Sequence, residues 1–219
     1  MKAYIFGSGA QGRVILDILR VQGRHDFIEF IDDNQELWGK QVNGVPIFGG
    51  FDYVIEQDRD SFEMVIALGN PNTRLTIAKK AEDHSISLLN AVHPASVIMP
   101  TVTIGKGNMI SPGSVINTNA RIGNNVIINT SAVIEHDSQI EDGATVCPGA
   151  KICGRAIIKS AAFISTGAIV LPRVSIGESA VIGSGAIVVK DIPEKVFALG
   201  TPARIVEKID ETFDWKRLL

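Results

Sequence analysis

Ala132-Val133-Ile134-Glu135-His136-Asp137-Ser138-Gln139-Ile140-Glu141-Asp142-Gly143-Ala144-Thr145-Val146 carries the pattern that decides the fold. Ile134, Ile140 and Val146 stand six apart, and Ala132, Ser138 and Ala144 stand two residues before them. Extended in both directions, the step of six runs from Ile98 to Val188, and all sixteen of its positions are Ile or Val. Small or modest side chains keep the companion position, from Ser96 through Ala120 and Ala150 to Ala186. A period of six is neither helical nor a plain strand alternation; it marks a hexapeptide β-helix. Each hexapeptide supplies a short strand and a turn, and three of them close a triangular coil of 18 residues. The β-branched side chain points into the prism and the small one leaves room at the corner. Residues one coil apart become neighbours along the axis at about one interstrand spacing, ~4.8 Å. Residues 96–190 hold about five such coils without an insertion.

Outside the repeat the chain obeys other rules. Residues 1–90 read as a small α/β unit. Ala3–Phe6 is an apolar run ending in Gly7-Ser8-Gly9-Ala10-Gln11-Gly12, and Val14, Ile15, Ile18 and Leu19 follow at helical spacing. Strands are expected over Phe27–Ile31, Phe62–Leu68 and Ser87–Asn90, with a helix near 72–82. Strands alternating with helices argue for a parallel sheet with crossover helices. After Val189 the register stops. Gly200-Thr201-Pro202-Ala203-Arg204 and the spacing of Ile205, Ile209 and Phe213 predict a turn and a short terminal helix capping the coil. The expected division is 1–90, 91–195 and 196–219.

Composition narrows the function classes. The 219 residues are 45% hydrophobic and 21% charged, which excludes a disordered chain. A net charge of −3 supplies no basic field for nucleic acid. No stretch approaches the roughly 18 apolar residues of a membrane span. Two cysteines make no disulfide framework, and no secretory signal opens the chain, so a reducing cytoplasmic location is expected.

Two constellations carry chemistry. Gly7-Ser8-Gly9-Ala10-Gln11-Gly12 fits GxGxxG between a strand and a helix, where glycines let the backbone approach phosphates at a helix N-terminus. Asp32 follows Gly12 by 20 residues, the place of a ribose-binding acid, with Asp33 beside it. Taken alone this suggests NAD, yet about 90 residues suffice for only one nucleotide. In the coil, His136 is the only one of four histidines inside the repeat, at an outward corner between Glu135 and Asp137. A carboxylate beside an imidazole fixes its tautomer and raises its basicity. His25 and His84 read as solvent-facing and His93 as structural. One coil after His136 stands Gly154, which leaves space and offers an N–H as an oxyanion donor. Thr166 and Ser184 stack likewise, with Gly183 and Gly185 beside the latter. A zinc hydratase on this scaffold needs three histidines, and the repeat holds one, so no metal is expected.

IFGSGAQG, FIDD, IALGNPNTR, the hexapeptide run, NTSAVIEHD and GTPAR together resemble the hexapeptide-repeat acyltransferases, nearest to the bacterial nucleotide-sugar and sialic-acid acetyltransferases. The resemblance covers nearly the whole chain. It implies an α/β nucleotide-binding (half-Rossmann-like) domain followed by a left-handed parallel β-helix, an exception to the right-handed crossover rule. It implies His136 as general base with Asp137 orienting it, Glu135 being the weaker candidate for that task. It places a nucleotide-linked sugar near Gly9, Ala10, Gln11, Asp32, Asp33, Gly69 and Asn70, and makes Asn129 and Glu135 substrate contacts. Thr166, Gly183, Ser184 and Gly185 fall along the acetyl-CoA groove, as does Thr145, nine residues after the base, where relatives often carry a second histidine. The expected function is acetyl-CoA-dependent N-acetylation of a nucleotide-linked 4-amino-4,6-dideoxy sugar for bacterial surface glycan or glycoprotein synthesis, by a homotrimer with its sites at subunit interfaces. The alternative is O-acetylation of sialic acid or another sugar.

Overall fold

The computed structural model describes residues 1–210 and 212–215. The front part is a twisted sheet with Lys2–Phe6 (β1) at its centre. Ala10–Gln22 (α1) crosses over to Phe27–Ile31 (β2), which pairs parallel with β1. Gln41–Val42 (β3) and Val45–Gly49 (β4) form a hairpin on the far side of β2. Phe51–Ile55 (α2) leads to Phe62–Ile66 (β5), on the other side of β1, and Pro71–Asp83 (α3) follows. The sheet order is β3-β4-β2-β1-β5. The chain therefore reverses direction of travel at β1, and the crevice outside the carboxyl ends of β1 and β5 is a topological switch point.

The hairpin and α2 were not legible in the spacing, because both are too short to show a period. Ser87–Asn90 forms no strand; only an isolated bridge from Leu88 to Met64 remains. A buried stripe of α1, Ile15, Leu16, Ile18 and Leu19, packs with Phe30, Val65, Met109 and Ile127, so one apolar cluster joins the front sheet to the coil.

From Ala91–Val92 onward the chain is a left-handed parallel β-helix. Its two-residue strands stack 18 residues apart: Val115 faces Val133, Val133 faces Lys151, and Lys151 faces Ile169. Backbone bonds run from coil to coil, as Val133 N–H to Ala150 (2.9 Å) and Glu135 N–H to Ile152 (2.8 Å). From Ile110 to Val188 the Ile/Val series, with its companions Ala120, Ala132, Ser138, Ala144 and Ala150, is buried in the prism, while Ile98 and Ile104 of the first coil are partly buried. Every sixth residue turns the corner with positive φ, among them Asn119, Asn125, Ser131, Asp137 (58°), Gly143, Gly149 and Arg155. Asn, Asp and Gly occupy this left-handed region most readily.

Three flat faces result. One, carrying Met109, Ile127 and Thr145, is covered by α1 and α3 of the front part, and farther along by Ile209, Phe213 and Trp215 packed on Phe163 and Val181. A second is mostly polar, with Thr103, Arg121, Gln139 and Ser175 outward and Ile157 between the last two. The third, from Val97–Ile98 to Ile187–Val188, presents Val97, Val115, Val133, Lys151, Ile169 and Ile187. Its outward residues are branched apolar side chains with one exception, Lys151, and the small residues point inward at the corners.

The expected terminal helix is replaced over 196–208 by strands Val196–Gly200 and Ala203–Lys208, an antiparallel hairpin that joins the covered face through Val181 and Phe197. Ile205 is half-exposed on a strand, so the four-residue spacing to Ile209 and Phe213 was fortuitous. The segment still closes the coil, since Ile192, Val196, Ala198 and Ala203 are buried with the prism core. Residues 216–219 of the expected helix lie outside the described residues. No helix of the described residues is long and apolar enough to cross a membrane.

Candidate active site

His136 and Asp137 form the turn after strand Val133–Ile134. Asp137 Oδ2 lies 2.9 Å from His136 Nδ1. A carboxylate only accepts, so Nδ1 carries the proton, and in the neutral imidazole Nε2 holds the lone pair a base needs. Nε2 faces Gly154: a Cβ built there would sit 2.6 Å from it. Glycine is thus the residue that fits beneath the ring. Among the described residues no hydrogen bond occupies the Gly154 N–H. Asp137 is held by its own corner stack. Asn119, one coil before, donates from Nδ2 to Oδ1 (3.3 Å), and Arg155, one coil after, brings Nε to 3.6 Å from Oδ2. The His136 hydrogen bond and then that of Asn119 hold the Asp137 carboxyl below its ordinary value. Glu135 is engaged elsewhere, accepting from Asn117 Nδ2 (3.1 Å). A shallow depression of about 450 Å³, lined in part by Asn119, Arg121 and Asp137, adjoins the pair.

Thr166, Ser184 and Gly185 stand exposed at the opposite edge of the apolar face, stacked as expected, with Gly185 N–H bonded to Thr166 O (2.9 Å). Gly183 is buried under Leu199 and Phe197 of the terminal hairpin. Asn129 lies on this same edge, its Oδ1 taken by Thr130 N–H (2.8 Å). Within one chain these residues and His136 flank one face and do not meet.

Thr145 is a correction. It is 3% exposed, under α3 of the front part, and its Oγ1 accepts from Arg74 Nη2 (2.8 Å). Nine residues are one and a half hexapeptides, which carries position 145 round to the covered face, away from a solvent groove. Arg74 itself is fully buried and bonds carbonyls of Leu68, Gly69, Asn125 and Gly143. Burial pushes its guanidinium down to about 9, still charged at neutral pH. It ties the loop after β5 to three positions of the coil.

The predicted front residues gather at the carboxyl edge of the sheet. Gly9 precedes α1, and Ala10 and Gln11 open it. Gln11 Nε2 reaches Met109 Sδ on the coil (3.7 Å). Asp32 Oδ2 accepts from both N–H (2.9 Å) and Oγ (2.7 Å) of Ser8, and Oδ1 from Asn34 N–H. Asp33 Oδ1 accepts from Phe51 N–H (2.7 Å), at the start of α2. Asn70 caps α3 through Asn72 and Thr73, with Gly69 before it. Ser8, Asn119, Arg155 and Arg74 were missed. Coil arithmetic applied to Asp137 points to Asn119 and Arg155; nothing local distinguishes Ser8 or Arg74 from their neighbours. The His25 side chain is covered rather than solvent-facing, with Nε2 3.4 Å from Glu63. His84 and His93 bind local backbone.

Residues 2–81 match the PglD N-terminal domain family and residues 119–154 the bacterial transferase hexapeptide (six repeats) family. A perosamine N-acetyltransferase from Caulobacter crescentus, solved as a histidine-to-asparagine mutant with CoA and GDP-perosamine, is 32% identical. It superposes with a TM-score of 0.90 over 95% of this chain and 98% of its own. The chain belongs to the hexapeptide-repeat acetyltransferases. Other members of similar shape are the acetyltransferase domain of PglB from Neisseria gonorrhoeae, solved with acetyl coenzyme A (28% identity, TM-score 0.89, 94% and 98% covered), and WeeI from Acinetobacter baumannii (29%, 0.87, 94% and 100%). No curated protein sequence matches this acetyltransferase.

Proposed function

We propose that this acetyltransferase moves an acetyl group from acetyl-CoA to the amine of a nucleotide-linked 4-amino-4,6-dideoxy sugar. The observation that carries the reading is a His136–Asp137 pair over Gly154, on a coil whose front sheet presents a glycine turn at its switch point. The relative solved with CoA and GDP-perosamine, similar over nearly its whole length, supports it.

The neutral amine attacks the thioester carbonyl. As the C–N bond forms, His136 Nε2 takes the ammonium proton while Asp137 holds Nδ1. The Gly154 N–H donates to the developing oxyanion. The C–S bond then breaks and the CoA thiolate takes the proton from His136. Asn129 contacts the sugar; Thr166, Ser184 and Gly185 line the coenzyme path. Residues 1–90 hold the nucleotide, 91–195 carry the chemistry, and 196–219 close the coil.

His136 and the coenzyme residues lie on opposite edges of one apolar face, so a second copy must complete each site. A homotrimer packed through Val97, Val115, Val133, Ile169 and Ile187 brings unlike edges together. Free Cys147 and Cys153 suit a reducing cytoplasm and synthesis of surface glycan precursors.

The test is acetyl-CoA consumption with UDP-, GDP- and dTDP-linked 4-amino sugars, with CMP-sialic and free sialic acid as controls. Turnover with a nucleotide-linked amino sugar is expected; turnover confined to the sialic acids replaces the reading with O-acetylation.

A further inference from the structure

Trp38 is a large aromatic side chain left 43% exposed at the carboxyl edge of the front sheet. It is not loosely placed there. Its Nε1–H donates to Asp32 O (2.7 Å), and its six-membered ring edge lies beside Gly50, where an added Cβ would come within 3.5 Å of Cζ2. The turn that carries it is closed by Leu37 N–H to Asn34 O (3.0 Å) and Gly39 N–H to Ile47 O (2.9 Å). An indole pinned through its N–H and still open to water is a rigid apolar surface awaiting an occupant.

Its position names the occupant. Asp32 is the shared anchor: its carboxylate holds Ser8 of the glycine turn while its carbonyl holds Trp38. On a strand–glycine turn–helix unit, phosphates sit at the helix N-terminus and the ribose near the acid after the second strand. The base then extends past that acid, toward the end of β4, where Trp38 stands. Resting on the nucleotide-sugar reading above, the geometry points to Trp38 as the stacking platform for the nucleobase of the substrate. Base stacking on an aromatic ring tolerates any base, so Trp38 supplies affinity and leaves discrimination among bases to polar neighbours such as Asp33.

The experiment uses the full-length protein carrying Trp215→Phe, which makes Trp38 the sole tryptophan. GDP, UDP and dTDP are titrated while fluorescence is read, with pyrophosphate and ribose 5-phosphate as probes lacking a base. Saturable quenching by a nucleoside diphosphate and none by the baseless probes is expected. In the otherwise native enzyme, Trp38→Leu raises the nucleotide-sugar KM roughly 5- to 100-fold. Trp38→Phe recovers most of that loss, and the acetyl-CoA KM and thermal midpoint stay as in the native enzyme. Nucleotide binding seen by calorimetry without a change in Trp38 emission, together with an unaltered KM in Trp38→Leu, overturns the platform while leaving the acetyltransferase reading intact. Failure of every nucleotide to bind, with turnover confined to free sugars, overturns both.

Discussion

At the His136 corner the side chains that meet come from residues 18 apart: Asn119, Asp137 and Arg155 form one stack, His136 and Gly154 another. At the front crevice, Ser8, Asp32, Trp38 and Gly50 meet with no common spacing at all. The coil repeats one geometry, so adjacency along its axis follows from counting. The front sheet is assembled by crossovers and turns of unequal length, and adjacency there depends on how each loop closes. The junction between them belongs to neither rule, since Arg74 of α3 reaches three coil positions that no period links to it.

Substituting His136 tests the coil side with the largest effect. His136→Ala lowers kcat by roughly 10²–10⁴ and leaves the thermal midpoint unchanged, because an outward corner supports no core. Near-native turnover in that variant would remove His136 from the chemistry. Arg74→Met tests the junction: with carbonyls of Leu68, Asn125 and Gly143 left unpaired, unfolding free energy in urea drops by about 3 kcal/mol. A loss of under ~0.5 kcal/mol would mean the two parts do not depend on this tie. Gly154→Ala brings a methyl against the imidazole and is expected to lower kcat roughly 10- to 100-fold, with acetyl-CoA binding measured separately by calorimetry. An unaltered kcat would show that the ring has room to move. The smallest effect belongs to Thr145→Val, about 1 kcal/mol of stability with an unchanged acetyl-CoA KM. A KM rise of tenfold would return Thr145 to the coenzyme path from which its burial removes it.

Legibility follows the same division. Sixteen Ile/Val positions in register identify the coil, its stacking partners and the His136–Gly154 contact without coordinates, because a repeat leaves one way to bury its apolar row. The glycine turn was readable for a steric reason: Gly12 has no room for a side chain, as a Cβ there would come within 2.0 Å of Gly7 O. The terminal hairpin was misread because Ile205, Ile209 and Phe213 imitate helical spacing while β-branched Ile205 and Val206 favour a strand. Thr145 was misplaced because a count of nine residues says nothing about which face another part of the chain will cover.

Periodicity, then, is enough to set the prism and the corner that bears His136 and Asp137, and a local glycine motif sets the opening of the front sheet, since each is a repeated or local solution to a packing demand. Tertiary packing alone decides that Arg74 and Thr145 seal the junction, that Asp32 serves Ser8 and Trp38 at once, and that His136 and Thr166 face away from each other on one chain. Those relations join residues with no sequence spacing in common, and only the closing of surfaces against one another selects them.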